Sequence, residues 1–314
     1  MRISLALGSG GARGYAHLGV LDALAARNWD VVDIAGTSMG ALVGGAYAAG
    51  KVEEFTEFAR SLVSQRDVIR YVDPALRGAG VIKADRILGR MADIIGEVLI
   101  EDLEIPYTAV AVDLFAHREV WFQRGPLLAA IRASIAIPTV ITPVVIKGRV
   151  LVDGGVVNPV PIEPTLSHAS DLTVAVSLSG RRGERHPGPL VRQSAQPQRP
   201  DWWTRLRHSI DVSKLRERVN PTPGPDRPAE EEGVFDDLPI NLKYADVIQH
   251  SMDSQSAMIE RFRLAASPPD VLVTIPVDSA AVFDFHRADE LIKLGREAAE
   301  EALERAGFGL GSAG

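Results

Sequence analysis

Gly36-Thr37-Ser38-Met39-Gly40 carries the pattern G-x-S-x-G, in which small residues two positions either side of a serine let the backbone reverse sharply and lift the hydroxyl clear. Such an alcohol can attack a carbonyl carbon if a proton acceptor is in reach and if backbone N–H groups receive the charge developing on the carbonyl oxygen. Two other stretches offer those functions. Gly8-Ser9-Gly10-Gly11-Ala12-Arg13-Gly14 is a glycine-rich turn whose Gly10 and Gly11 amides could bind an oxyanion, and Asp153-Gly154-Gly155 presents a carboxylate at a compact turn. The chemistry this set predicts is acyl transfer from an ester to Ser38, with Asp153 as proton acceptor. A carboxylate is a weak base, so Asp153 must be raised in pKa by partial burial or held tightly against Ser38 to serve.

Each motif also has a plainer reading. Gly36 and Gly40 can simply permit a close strand-to-helix turn capped by Ser38, and Asp-Gly-Gly, taken alone, is equally a surface turn. Nucleotide binding fits poorly: a Walker loop ends in Gly-Lys followed by Ser or Thr, whereas this turn ends in Arg13-Gly14-Tyr15, and a Rossmann fingerprint counted from Gly8 wants glycine or alanine where Arg13 stands. Arg13 either pins the turn through backbone carbonyls or attracts an anionic headgroup. A Ser-acid-His triad would pair Asp153 with His286 or His250. Neither histidine has a glycine-rich or strand-end setting, and only one strand and one helix precede Ser38, so a Ser38–Asp153 dyad is the preferred reading.

These residues need elements to hold them. Ile3 to Leu7 reads as a buried strand, the stretch from Tyr15 with Leu18, Leu21 and Leu24 as a helix, Val31 to Ala35 as a second strand, and Ala41 to Ala49 as a small-residue helix stopped by Gly50. That alternation predicts parallel strands covered by helices. Further helices are expected over Glu53 to Ser64, Ala84 to Ile95 and, opening with a proline in its first turn, Pro126 to Ile135. Tyr107 to Val112 is strand-like, with Glu119 to Phe122 pairing near it. Val144 to Ile146 and Arg149 to Val152 flank Lys147-Gly148 as a hairpin that delivers Asp153 at its end. Leu172 to Ser177, a helix over Asp246 to Ala265, a strand over Val271 to Ile275 and a helix over Asp289 to Ala306 complete the chain.

The chain of 314 residues is 46% apolar and carries a net charge of -7, with no concentrated basic footprint, which argues against nucleic acid as a main partner. It has no cysteine, no calcium loop and no metal-ligand cluster, so neither a metal nor another cofactor is expected. No signal peptide or spanning segment is legible, which points to a cytoplasmic protein that meets membranes only at their surface. The expected organisation is one hydrolase domain over residues 1–314, with 180–233 a polar, proline- and glycine-rich insertion that is disordered or lid-like. Within it, Trp202 to Leu215 could form a short amphipathic helix with arginines on its polar side. That helix is a candidate for peripheral membrane contact, against the favoured alternative that its tryptophans pack on the body or on a second subunit. The oligomeric state is not legible.

Taken together, the motifs resemble the patatin-like phospholipase family, in its compact bacterial branch. The resemblance rests on Ser9 to Gly14, His17 to Gly19, Gly36 to Gly40, Arg132 to Pro138 and Asp153 to Gly155. It implies an α/β three-layer sandwich with a central, mostly parallel sheet, and a Ser38–Asp153 dyad without histidine. Gly10 and Gly11 would supply the oxyanion amides, with Arg13, Gly36, Gly40 and Gly154 in support. Ser9 stands where the family's turn has its first glycine, and Arg132 to Pro138 would pack beside the site and shape an acyl pocket. A lipid acyl ester, phospholipid or lysophospholipid, is the substrate class the resemblance implies. The alternative is a non-catalytic regulator that keeps the fold and engages another protein.

Overall fold

The structure is a computed structural model that describes residues 1–75, 80–180 and 244–309. The chain divides into two compact units, Met1–Glu184 with Gln249–Gly314, and Arg185–Ile248. The elements below belong to the first unit, apart from the opening residues of one helix. The expected insertion over 180–233, beyond Gly180, and the Trp202 to Leu215 segment lie outside the described residues.

The chain enters on β1 (Arg2–Leu7) and passes through a 3-10 turn, Gly11–Tyr15, directly into α1 (Ala16–Ala25). It continues through β2 (Asp30–Thr37), α2 (Met39–Ala48), α3 (Val52–Ser61), α4 (Gln65–Ile69) and α5 (Asp85–Ile95). Then come β3 (Tyr107–Asp113), β4 (Arg118–Phe122), α6 (Leu127–Ser134), β5 (Val144–Ile146), β6 (Arg149–Asp153) and β7 (Leu172–Gly180). After the undescribed stretch follow α7 (Tyr244–Ala266), β8 (Val271–Pro276) and α8 (Ala288–Arg305). The expected helix over Glu53 to Ser64 is α3, which stops at Ser61, and Ser64 instead caps the further short helix α4. Its hydroxyl accepts from the Asp67 N–H while the Asp67 carboxylate accepts from the Ser64 N–H, a reciprocal cap that stops α3 at Ser61. Pro126 sits one position outside α6 in an extended conformation rather than inside its first turn.

One sheet of mixed but mostly parallel strands runs in the order β5-β6-β3-β2-β1-β7-β8, with β4 also paired to β3. From β3 to β8 the pairings are parallel; those of β4, β5 and β6 are antiparallel. Helices cover both faces, giving the α/β sandwich. Alternation along β1 and β7 separates two unequal cores. Leu5, Leu7, Val174, Val176 and Leu178 face α1, α2 and α8, whereas Ala6 and Ala175 meet Val160, Ile162 and Leu264 of α7. Bulk on one side and alanine on the other fit strands buried on both faces. α1 and α8 approach through glycine: a Cβ on Gly19 would lie 1.9 Å from the Ile292 carbonyl oxygen, and one on Gly295 2.0 Å from that of Ala16.

The register explains how distant motifs meet. β3 pairs along one edge with β4, so both β2 and β6 share its other edge. β2 climbs that edge until Thr37 faces Val110, and β6 descends it until Asp153 faces the next residue, Ala111. The two strands therefore abut end to end, Ser38 following the last residue of one and Asp153 ending the other.

Candidate active site

Ser38 occupies the N-cap of α2 with φ 57° and ψ -120°, a conformation that costs a side-chain-bearing residue roughly 1–3 kcal/mol and persists only when its surroundings enforce it. The enforcement is visible. A Cβ on Gly36 would stand 2.4 Å from the Gly40 carbonyl oxygen, and one on Gly40 2.1 Å from that of Leu7, so glycine alone allows the reversal. The Ser38 N–H donates to Ser134 Oγ at 2.8 Å, and the Ser134 hydroxyl donates to the Val110 carbonyl at 2.7 Å. Thr37 Oγ1 donates to the Asn158 carbonyl at 2.9 Å. α6 and β3 thus hold the serine backbone from one side and the stretch after Asp153 from another.

Asp153 is fixed by its own N–H, which donates to the Ala136 carbonyl at 2.9 Å, and by the Gly155 N–H, which donates to Oδ1 at 2.7 Å. Oδ2 is buried and makes no hydrogen bond with any described residue. Burial pushes the carboxyl up to about 6, against the opposing pull of the Ser38 hydroxyl and then of the Gly155 N–H. The pair is well enclosed, Ser38 at 4% and Asp153 at 5% relative exposure. Gly154 allows this proximity, since a Cβ there would sit 2.3 Å from the Val110 carbonyl oxygen and 2.9 Å from Thr37 Cγ2.

The glycine-rich turn packs against both. A Cβ on Gly155 would meet Ser9 Oγ at 2.8 Å, and one on Gly14 would fall 2.1 Å from Met39 Cγ. Ser9 N–H donates to the Pro159 carbonyl at 2.8 Å and Ala12 N–H to that of Val282 at 2.9 Å. Between them the Gly10 and Gly11 N–H groups have no acceptor among the described residues. Gly11 is buried and Gly10 partly so, and backbone donors left open in such a place can receive an acceptor, of which an oxyanion is one. Gly11 is left-handed at φ 58°, and its Cβ would strike the Val282 carbonyl oxygen at 2.5 Å. Arg13 Nε donates to the Gly10 carbonyl at 3.2 Å and Nη1 to that of Val277 at 3.0 Å, a clamp tying the turn to the end of β8.

The contacts of several contributors are not legible in the sequence, even where the resemblance marks the stretch they stand in. His17, wholly buried on α1, lies 2.8 Å from the Gly8 carbonyl through Nε2; because that oxygen can only accept, Nε2 carries the proton. Burial lowers the imidazole to about 4, so the ring is a neutral donor across the working pH range. Ser134 accepts from the Ser38 N–H rather than merely packing. From α7, Ser256 Oγ donates to the Gly155 carbonyl at 3.0 Å and Arg263 Nε to that of Val157 at 2.9 Å, so the acid turn is clamped from above. Arg132 instead braces the wall behind α6, with Nη2 donating to the carbonyls of Lys83 at 2.9 Å and Thr142 at 2.8 Å. Of the histidines nominated for a triad, His250 is exposed on α7 and His286 precedes α8; neither is hydrogen-bonded to Ser38 or Asp153.

Among the described residues no group of three or more His, Asp or Glu is arranged to hold a metal ion, and no helix is long and apolar enough to cross a membrane. The chain matches the family model described as patatin-like phospholipase over residues 5–166, a span that contains every motif above except the α7 clamp. It is 43% identical over 337 aligned residues to an uncharacterized NTE family protein of Mycobacterium tuberculosis, covering 96% of this chain and 91% of that one. It is also 34% identical over 193 residues to a lysophospholipase of Mycosarcoma maydis, covering 57% of this chain and 10% of that protein. A patatin-like phospholipase domain-containing protein of Caenorhabditis elegans is 34% identical over 166 residues, 51% of this chain and 12% of that protein. By its matched span, its relatives and its fold, the chain belongs to the patatin-like phospholipase family.

Proposed function

We propose that the chain is a serine hydrolase of lipid acyl esters, phospholipid or lysophospholipid, in the compact bacterial branch of its family, acting through Ser38 and Asp153. The observation that carries this reading is the end-to-end meeting of β2 and β6, which sets a strained serine against a buried carboxylate whose Oδ2 is unbonded. In the acylation step Asp153 takes the Ser38 proton as Oγ bonds to the ester carbonyl carbon, and the carbonyl electron pair moves onto oxygen, where the Gly10 and Gly11 amides receive it. Collapse expels the alkoxide, which takes the proton from Asp153 and leaves as the alcohol. A water then gives a proton to Asp153 and attacks the acyl carbon. The second collapse releases the carboxylic acid and returns the proton to Ser38. Arg13 and His17 hold the glycine turn in shape, while Gly36, Gly40 and Gly154 permit the close approach. The same reading takes residues 1–314 as one hydrolase domain in which 180–233 is an insertion.

A fluorophosphonate probe and a soluble p-nitrophenyl ester test the reading together. Wild type is expected to label and turn over, and Ser38→Ala to do neither while keeping its thermal transition. Equal labelling of the two proteins would remove Ser38 from the mechanism.

A further inference from the structure

The end of the sheet that carries Ser38 also carries two hairpin turns that project past it. β3 continues through Ala111, Val112 and Asp113 beyond the level of Thr37, roughly 10 Å at about 3.3 Å per residue, before turning at Leu114 to His117 into β4. β5 and β6 run beside this extension and turn at Lys147-Gly148. The two turns are tied together, because Leu114 N–H donates to the Val150 carbonyl at 2.9 Å and Val150 pairs with Val145.

Apolar side chains crown this projection. Phe115 is 77% exposed, Val145 69% and Leu114 41%. Phe115 is not on a slack loop: Asp113 Oδ1 accepts from the Phe115 N–H at 3.2 Å and the Ala116 N–H at 3.0 Å, which sets the turn that holds the ring outward. Around the apolar tips stand Arg118, Lys147 and Arg149, all exposed. Arg149 lies 3.9 Å from Asp113, whereas Arg118 and Lys147 have no ion-pair partner among the described residues. The adjacent Glu119 is already paired with Arg263. A cationic rim around apolar tips, in a chain whose net charge is -7, marks a surface for a partner that is both negative and greasy.

We propose that these two hairpin tips dock the protein on a lipid bilayer bearing anionic headgroups, with Phe115, Leu114 and Val145 entering the headgroup–acyl boundary and Arg118 and Lys147 facing phosphates. The proposal rests on the reading of the site as a lipid-ester hydrolase and adds the surface by which that site reaches its substrate. Apolar insertion and cationic attraction act together at such interfaces, each basic residue adding a several-fold gain in affinity on anionic lipid.

The test is vesicle sedimentation of the full chain with phosphatidylglycerol vesicles and with phosphatidylcholine vesicles, run beside turnover of a soluble p-nitrophenyl ester. Leu114→Ser with Phe115→Ser is expected to lower binding to both vesicle types by about tenfold or more. Arg118→Glu with Lys147→Glu is expected to lower binding to phosphatidylglycerol by a similar factor and leave phosphatidylcholine unchanged. Both variants should turn over the soluble ester as wild type does. Equal pelleting of wild type and variants overturns the proposal, and so does a change in oligomeric mass without a change in vesicle binding, which would give the face to a protein contact. Absence of soluble-ester turnover in wild type would instead strike the hydrolase reading, and the vesicle comparison would still decide the surface.

Discussion

β2 carries a buried aspartate's problem at both of its ends, and the two solutions differ. In its first half Asp33 is buried 3.1 Å from the His168 ring, and burial raises its pKa against the opposing pull of that histidine. At its far end Asp153 arrives from β6, equally enclosed and pushed up to about 6, but its partners are an alcohol and a single amide. Oδ2 of each makes no hydrogen bond among the described residues, yet Asp33 faces the His168 ring, whereas Asp153 stands beside a strained serine and two open amides. A raised carboxyl pKa therefore does not locate a site. What distinguishes the second end is what surrounds the carboxylate, a strained alcohol and open backbone amides gathered at one point.

The largest effect should come from removing the alcohol. Ser38→Ala is expected to lower kcat/KM for a soluble ester by a factor of about 1,000 or more, whereas Asp33→Asn should leave it within about twofold. Comparable losses in the two variants, measured by initial rates, would erase the contrast. Ser38→Gly should be equally inactive yet melt higher by a few degrees, because glycine adopts φ 57° without strain. A lower melting temperature for that variant would mean the elbow stores no strain.

Asp153→Asn is next, with an expected loss of roughly 100-fold to 10,000-fold in kcat as the proton acceptor disappears. The same substitution should raise thermal stability above pH 6. The folded pKa lies above the unfolded one, so ionisation opposes folding at high pH and the penalty fades as pH falls through about 6 towards the ordinary range near 4. Thermal melts of wild type and Asp153→Asn at pH 8 and pH 4.5 check this: a gap that widens on acidification would reverse the assigned cause. For wild type, kcat/KM should climb with pH through an inflection at about 6, as the carboxylate form becomes the majority. A flat profile from pH 5 to 8 would show that a different group accepts the proton.

Smallest is Ser134→Ala, which removes the acceptor of the Ser38 N–H without touching either reacting group. About a tenfold fall in kcat with little change in KM is expected, since misplacement of a nucleophile by a fraction of an ångström acts on the chemical step. An effect confined to KM would place Ser134 in substrate binding.

Where glycine was obligatory, the chain was readable. At Gly36, Gly40, Gly11 and Gly154 a Cβ would collide with backbone, and at Gly10 and Gly155 with neighbouring side chains, so the constraint is written in residue type. Strands were equally plain, because those buried on both faces show as apolar runs, and their expected limits differ from the observed ones mainly at the ends, as where β7 continues to Gly180. The early end of α3 and the short α4 were hidden because Ser64 and Asp67 show as a cap only once their reciprocal hydrogen bonds are seen. His17 and Ser134 fell within stretches the resemblance marked, but what each bonds was not legible, and Ser256 and Arg263 were silent, because contacts with carbonyls and amides elsewhere in the fold leave no local periodicity.

By itself, then, the sequence determined which turns could exist and which side chains they would present, since backbone sterics act within a few residues and are encoded there. Only the tertiary structure decided that β2 and β6 abut along one edge of β3, which brings Ser38 to Asp153, leaves Oδ2 unbonded and sets both hairpin tips beyond the same sheet end. Register depends on which edges remain free once every strand has paired, a condition on the whole sheet that no stretch of residues contains.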